Sequence, residues 1–216
     1  MTIEALWARL EVIAKRHGRS LRLRPGVSEA ALAAAEATMN LAIPADLRAS
    51  LALHDGQDDA EDDTFPWMAG CSPLRSLAEI VERWRVEVGL AVPDEDSGED
   101  PPDPRLRPGL SLPQRIPIAG NRWWDGGNSF VDLAPGPDGT EGQLISFSSE
   151  CDIEVLGTSF AEALEAYVTA LEAGTLLYDP HVNDVVPADV AQPGNLVYEF
   201  AKWRDARRKS SPLRRI

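Results

Sequence analysis

Side chains suited to chemistry are few in this chain. His17, His54 and His181 are its three imidazoles, the groups whose ordinary charge change falls near neutral pH. His54 stands beside Asp55, a pairing that would suit a hydrolase with a general base and an orienting carboxylate. Adjacent positions at a helix end do not face each other well, however, and no matching nucleophile is evident. A capping or packed histidine is the simpler reading. Phosphate-loop, nucleophile-elbow, paired-histidine metalloprotease and dinucleotide-binding patterns are all missing. No catalytic residue is expected, and the chain is read as a non-enzyme.

The densest chemical feature is the run Asp55, Asp58, Asp59, Glu61, Asp62 and Asp63. A hard cation such as calcium takes six to eight oxygen ligands, but the run lacks the alternating acids, fixed glycine and terminal glutamate of a calcium loop. That leaves a solvated acidic loop or a docking surface for a basic partner. Cys71 and Cys151 are too few for a structural zinc site without histidines, and no Cys-x-x-Cys spacing exists, so both read as ordinary core thiols. No metal or cofactor is expected. Trp123 and Trp124 are adjacent, so on an extended segment their rings point to opposite faces. Core filling is the first reading of such rings; an exposed one would make an interface anchor. The candidate partner-binding set is therefore Asp55, Asp58, Asp59, Glu61, Asp62 and Asp63, with Trp67, Trp123 and Trp124 as aromatics.

The elements that must position these groups come from a chain of 216 residues, 44% hydrophobic and 26% charged, enough for one compact core with decorations. The formal net charge is −14, which repels nucleic acid and anionic membrane. The apolar runs are far shorter than the roughly 20 residues that cross a bilayer. Glu4 and Glu11 punctuate the first eighteen residues, unlike a secretory signal, and two cysteines imply reduced thiols; the expectation is a cytoplasmic protein. Residues 201–216 run against the overall charge, with seven basic side chains and only Asp205 acidic.

Ile3, Leu6, Trp7, Leu10, Ile13 and Ala14 recur at helical spacing before Gly18. Ser28 is placed to cap a helix through Leu32, Ala35, Glu36 and Met39, and Pro44 to open a short one toward His54. Ser76 and Glu79 have the spacing of a capping box before Leu77, Ile80, Val81, Trp84 and Val88. Residues 92–113, rich in proline and acid, read as an exposed loop. The pattern then changes to short strands at 116–119, 129–133, 143–147 and 153–156, separated by glycine-rich turns where positive φ is cheap. Ser159 and Glu162 suggest another capping box, before a helix ending at Gly174. Residues 178–216 read as an extension, with a last helix over 195–209 and a basic tail free to collect partners.

Taken in order, these segments resemble the Smi1/Knr4 family of the SUKH superfamily. The resemblance is carried by the helix with Glu36, then Ile43-Pro44-Ala45-Asp46-Leu47, then Leu53-His54-Asp55-Gly56. It continues through Ile116-Pro117-Ile118-Ala119, Asp125-Gly126-Gly127-Asn128, Phe130-Val131-Asp132-Leu133 and Gly142 to Phe147, and ends with Val155-Leu156 and the helix from Ser159. It spans roughly residues 3 to 177 and implies an α+β single domain, a mixed, mainly antiparallel sheet packed by N-terminal and C-terminal helices. It also implies binding rather than catalysis: bacterial members are regarded as immunity proteins that neutralise polymorphic toxins, and fungal ones coordinate cell-wall synthesis and signalling. The primary expectation is an immunity protein occluding a basic toxin domain, and the alternative a regulatory scaffold.

Overall fold

A computed structural model describes residues 1–58, 64–90, 103–109, 111–124, 127–147, 153–189 and 196–210, with side chains through residue 206 in the last segment. The fold is α+β. α1 (Ile3–Arg16) is capped by Thr2, whose hydroxyl accepts from the Ala5 amide, and the chain leaves it through Gly18 at φ +67°. Its buried face, Leu6, Trp7, Leu10, Ile13 and Ala14, is the one its spacing predicts. α2 (Glu29–Met39) begins at the Ser28 cap and ends at Asn40 in the left-handed region. α3 (Ala45–Leu53) follows Pro44, and its Ser50 hydroxyl accepts the Trp7 indole N–H at 2.9 Å, tying two helices through a buried polar pair.

The short strands β1 (Leu23–Pro25) and β2 (His54–Gln57) pair antiparallel. Gln57 joins this pair to the rest. Its backbone N–H donates to the Leu74 carbonyl, its side-chain oxygen accepts from the Leu74 amide, and its side-chain nitrogen donates to the carbonyls of Leu21 and Phe65. The segment 73–75 continues outward, with Arg75 N–H on the Ile118 carbonyl and Gly120 N–H on Pro73. It is thus an unlabelled rung between β2 and β3 (Arg115–Ala119), which opens the antiparallel meander β3–β4–β5–β6 with β4 (Ser129–Asp132), β5 (Gln143–Phe147) and β6 (Ile153–Gly157). All pairs of named strands are antiparallel; among the described residues the parallel contribution is one isolated bridge, Ser20 to Thr64.

Both faces of the meander are covered. Ile116, Ile118, Val131, Leu144 and Leu156 face the main core, while Phe130, Ile145, Phe147 and Val155 form a second cluster with Leu106. Leu106 belongs to the segment read from sequence as exposed loop. Residues 103–109 instead lie on the sheet, because Arg115 reaches out of β3 to bond the carbonyls of Arg107 and Gly109. Residues 92–102 and 110 of that loop lie outside the described residues. Gly136 and Gly139, expected for positive φ, serve instead for close approach: a Cβ on Gly136 would sit 2.4 Å from the Pro104 carbonyl oxygen, and one on Gly139 2.5 Å from that of Arg105.

α4 (Leu77–Leu90) buries Leu77 and Ile80 as expected, but Val88 is exposed and Glu87 is buried, bonded by Ser111 and Arg83. α5 (Phe160–Glu172) carries the Ser159 cap and ends before Gly174. Beyond it, β7 (Leu176–Asp179) and β8 (Asp184–Pro187) form a hairpin, and α6 (Leu196–Ser210) packs on β6 and β8. Parts of the extension pack into the main body. Val185, Val197, Phe200 and Ala201 are buried in the main core, and Arg204, counted in the free basic tail, is turned inward onto Glu162 and the Val155 carbonyl. Apolar spacing on α6 fixes this, since Val197, Phe200 and Arg204 share one face.

Arg115 and Asp132 are both buried, 3.7 Å apart at their nearest nitrogen and oxygen. Arg115→Met leaves the Asp132 charge uncompensated and is expected to cost about 3–5 kcal/mol in urea unfolding, with Asp132→Asn in the same chain recovering part of the loss. Equal stability of Arg115→Met and the native chain would show that the pair does not secure the sheet.

Candidate functional site

The residues singled out from sequence separate into three groups once folded. Asp55 sits on β2, half-buried, and its carboxylate accepts the Leu77 amide at 2.6 Å, so it caps α4 from outside the helix. Asp58 is exposed, 3.6 Å from Arg22 and 3.9 Å from Arg24. Asp59, Glu61, Asp62 and Asp63 lie outside the described residues, as do Cys151, Asp125 and Gly126. Around the start of α4 the ion pairs continue: Glu79 accepts from the Ser76 hydroxyl at 2.6 Å and faces Arg24 and Arg75. Burial opposes its charge, yet the Ser76 bonds and the two guanidinium groups hold its carboxyl below the ordinary value.

Trp67 cannot serve as a partner-facing aromatic. It is fully buried, stacks on Phe160 at 5.8 Å between ring centres, and donates its indole N–H to the Ser72 carbonyl. The turn after β3 sends its two indoles different ways. Trp124 is half-buried in the left-handed region at φ +55°, a conformation that costs a bulky residue about 1–3 kcal/mol and persists only where the surroundings impose it. Those surroundings are plain: its ring lies against Gly120 and under the Arg83 guanidinium at 5.1 Å, its amide bonds the Asn121 carbonyl, and its own carbonyl accepts from Asn128. Trp123 is left 73% exposed, the most exposed large apolar side chain among the described residues. Spacing alone leaves open which ring faces out. Gly120 and Asn121 are the sequence signal of the turn that decides it, and Arg83, forty residues away, carries none.

The imidazoles of His54 and His17 pack against aromatic rings. His54 is half-buried with its ring edge-on to Trp7 at 6.0 Å, and burial lowers its pKa against the bond it makes to the Arg24 backbone. His17 stacks on Phe65 and meets Tyr178 at a tilt of 49°, and His181 sits in the β7–β8 turn. Among the described residues no cluster of three or more His, Cys, Asp or Glu is arranged to hold a metal ion. Burial pushes the Cys71 thiol up to about 12, so it carries no thiolate at neutral pH. A groove of about 360 Å³ between α5 and α6 is lined by Glu162, Ala166, Thr169, Ala170, Trp203 and Arg204, an alanine floor with one ion pair at its end. No described helix is long and apolar enough to cross a membrane.

A model of the SMI1 / KNR4 family (SUKH-1) matches residues 26–166. The chain is also similar to three fungal proteins. The glucan synthesis regulatory protein of Neurospora crassa is 26% identical over an alignment covering 78% of this chain and 38% of that protein. The cell wall biosynthesis/cell cycle regulator smi1 of Schizosaccharomyces pombe is 29% identical, covering 83% and 38%, and the cell wall assembly regulator SMI1 of Saccharomyces cerevisiae 27% identical, covering 78% and 39%. The chain thus spans well under half the length of these relatives.

Two expectations follow from the geometry. Gly120→Ala puts a Cβ 2.4 Å from the Trp124 ring and should cost about 1–3 kcal/mol, read by urea unfolding, with a changed near-ultraviolet circular dichroism spectrum; a variant of native stability and spectrum would contradict the packing. Asp184, on β8, accepts the amides of Gly70 and Val185, yet burial pushes its carboxyl up to about 6. A raised carboxyl adds stability that is complete below its ordinary value of 3.8 and is lost as pH rises through about 6. His54, lowered, works in the opposite sense, its contribution being present above 6.5 and lost as pH falls. The stability of the native chain minus that of Asp184→Asn should therefore fall as pH rises from about 4 to about 7 in melting experiments, and a constant difference would refute it.

Proposed function

This chain belongs to the SMI1/KNR4 family, and on that premise we propose that it is a non-enzymatic regulator that acts by binding other proteins, in the cell-wall or signalling control that its fungal relatives' names describe. One observation carries the reading: the regulators align across 78–83% of this chain, the body of the α+β fold rather than a single motif. The docking surface is proposed to include Trp123, whose indole is exposed, and the acidic run from Asp55 to Asp63, of which the described Asp58 is exposed. Action in the cytoplasm belongs to the same proposal.

A second reading is an immunity protein that occludes a basic toxin domain. It is supported by the net charge of −14 and by the SUKH membership, since an acidic surface speeds encounter with a basic partner and rejects acidic ones. The two readings separate by what the chain holds. Affinity purification of the full chain at low salt, with mass spectrometry, is expected to recover stoichiometric protein partners belonging to regulatory or envelope-synthesis machinery. Recovery of one basic toxin, with protection of cells from it, favours the second reading. Turnover of any substrate that His54→Ala abolishes at unchanged melting temperature would overturn both.

A further inference from the structure

We propose that the turn at residues 121–124 docks an acidic protein segment, with Trp123 as the aromatic anchor and Arg122 as the cation that receives the partner's carboxylate. The proposal rests on the protein-binding reading above and deepens it, because it gives the chain a cationic aromatic face apart from its acidic run.

Three observations carry it. First, the exposure of Trp123 is built in rather than incidental. Its neighbour Trp124 is pinned between Gly120 and the Arg83 guanidinium, the Trp123 amide donates to the Asn121 side chain at 3.0 Å, and Asn128 holds the Trp124 carbonyl at 3.2 Å. The indole is displayed from a turn whose backbone is already fixed, so little ordering remains to be done on binding. Second, Arg122 lies over the Trp123 ring at 5.2 Å and has no carboxylate partner among the described residues. Arg9, Arg24, Arg48, Arg105 and Arg204 each face an acid, in a chain with 35 acidic against 21 basic residues. A guanidinium stacked on an indole keeps its N–H edge for a carboxylate, and the stacking limits the freedom it loses in taking one. Third, Arg83 touches this turn from α4, and helical spacing sets the exposed Val86 and Leu90 along the same flank. The face therefore offers one ring, one cation stacked on it with no acid partner among the described residues, and an apolar rim. Its complement is a segment in which Asp or Glu alternates with apolar side chains; a basic segment would meet Arg122 head-on.

The test is selection of a random peptide library on the immobilised full chain at low salt. Selected peptides should combine acidic with aliphatic or aromatic residues, weaken as salt is raised, and bind at least tenfold more weakly to Trp123→Ala and to Arg122→Glu. Tyr198→Ala, an exposed aromatic elsewhere on the chain, should bind them as the native protein does. Both altered side chains are exposed, and unchanged melting temperatures show that the fold survives. Selection of basic or uncharged peptides, or of acidic ones that Trp123→Ala holds as tightly as the native chain, overturns this inference and leaves the protein-binding reading standing. A library that yields no binder at all, together with an affinity purification that recovers no partner, overturns both.

Discussion

A buried guanidinium helps fasten residues 103–109 to the outer face of the meander. Arg115 emerges from β3 beside Asp132 on β4, and its remaining N–H groups are taken by the carbonyls of Arg107 and Gly109. Asp132 is engaged in turn by the Ala134 amide and the Gln143 side chain. A charge pair in so dry a place gains from attraction only when the other lone pairs and protons are also satisfied, which these bonds achieve in part. The consequence is architectural. With residues 103–109 fastened to the meander, Leu106 covers Phe130, Ile145 and Phe147, and the sheet has two cores instead of one.

Gln57 does the equivalent service on the other side. One amide side chain satisfies backbone groups on three separate segments, and through the rung at 73–75 it makes the β1–β2 pair and the four-stranded meander continuous. That continuity sets the functional face. The rung ends where α4 begins, under the Asp55 cap and the Ser76–Glu79 box, and α4 then brings Arg83 against the turn that displays Trp123. The display of an indole in water is thus a property of the sheet and of a helix start, transmitted through hydrogen bonds that are themselves inside.

Charge is distributed by the fold more finely than a net value of −14 suggests. Arg75, Arg115 and Arg204 are drawn inward to carbonyls and carboxylates, so part of the basic content never reaches the surface. Outside, Arg122 is laid on the Trp123 indole and Lys202 on the Tyr198 ring. Long-range attraction and short-range docking need not then favour the same partner chemistry, since the first follows the whole field and the second the groups that touch.

The amino-acid sequence by itself determined the elements. Apolar spacing, the caps at Ser28, Ser76 and Ser159, and the glycine stops placed the main helices and the four strands of the meander, because these signals act within a few residues. They also carried the family, whose match covers residues 26–166. Tertiary structure alone decided which polar and aromatic groups are free. Trp67 is as hydrophobic as Trp123, yet one is stacked on Phe160 and the other stands in solvent. Asp55 is as acidic as Asp58, yet it serves a helix twenty-two residues further on. The segment 103–109 has the composition of a loop, yet Gln143 and the amides of Gly136 and Asp138, some thirty residues on, bond its carbonyls and bind it to the sheet. In each case the deciding contact joins residues that the chain brings together only on folding, so no local pattern encodes it.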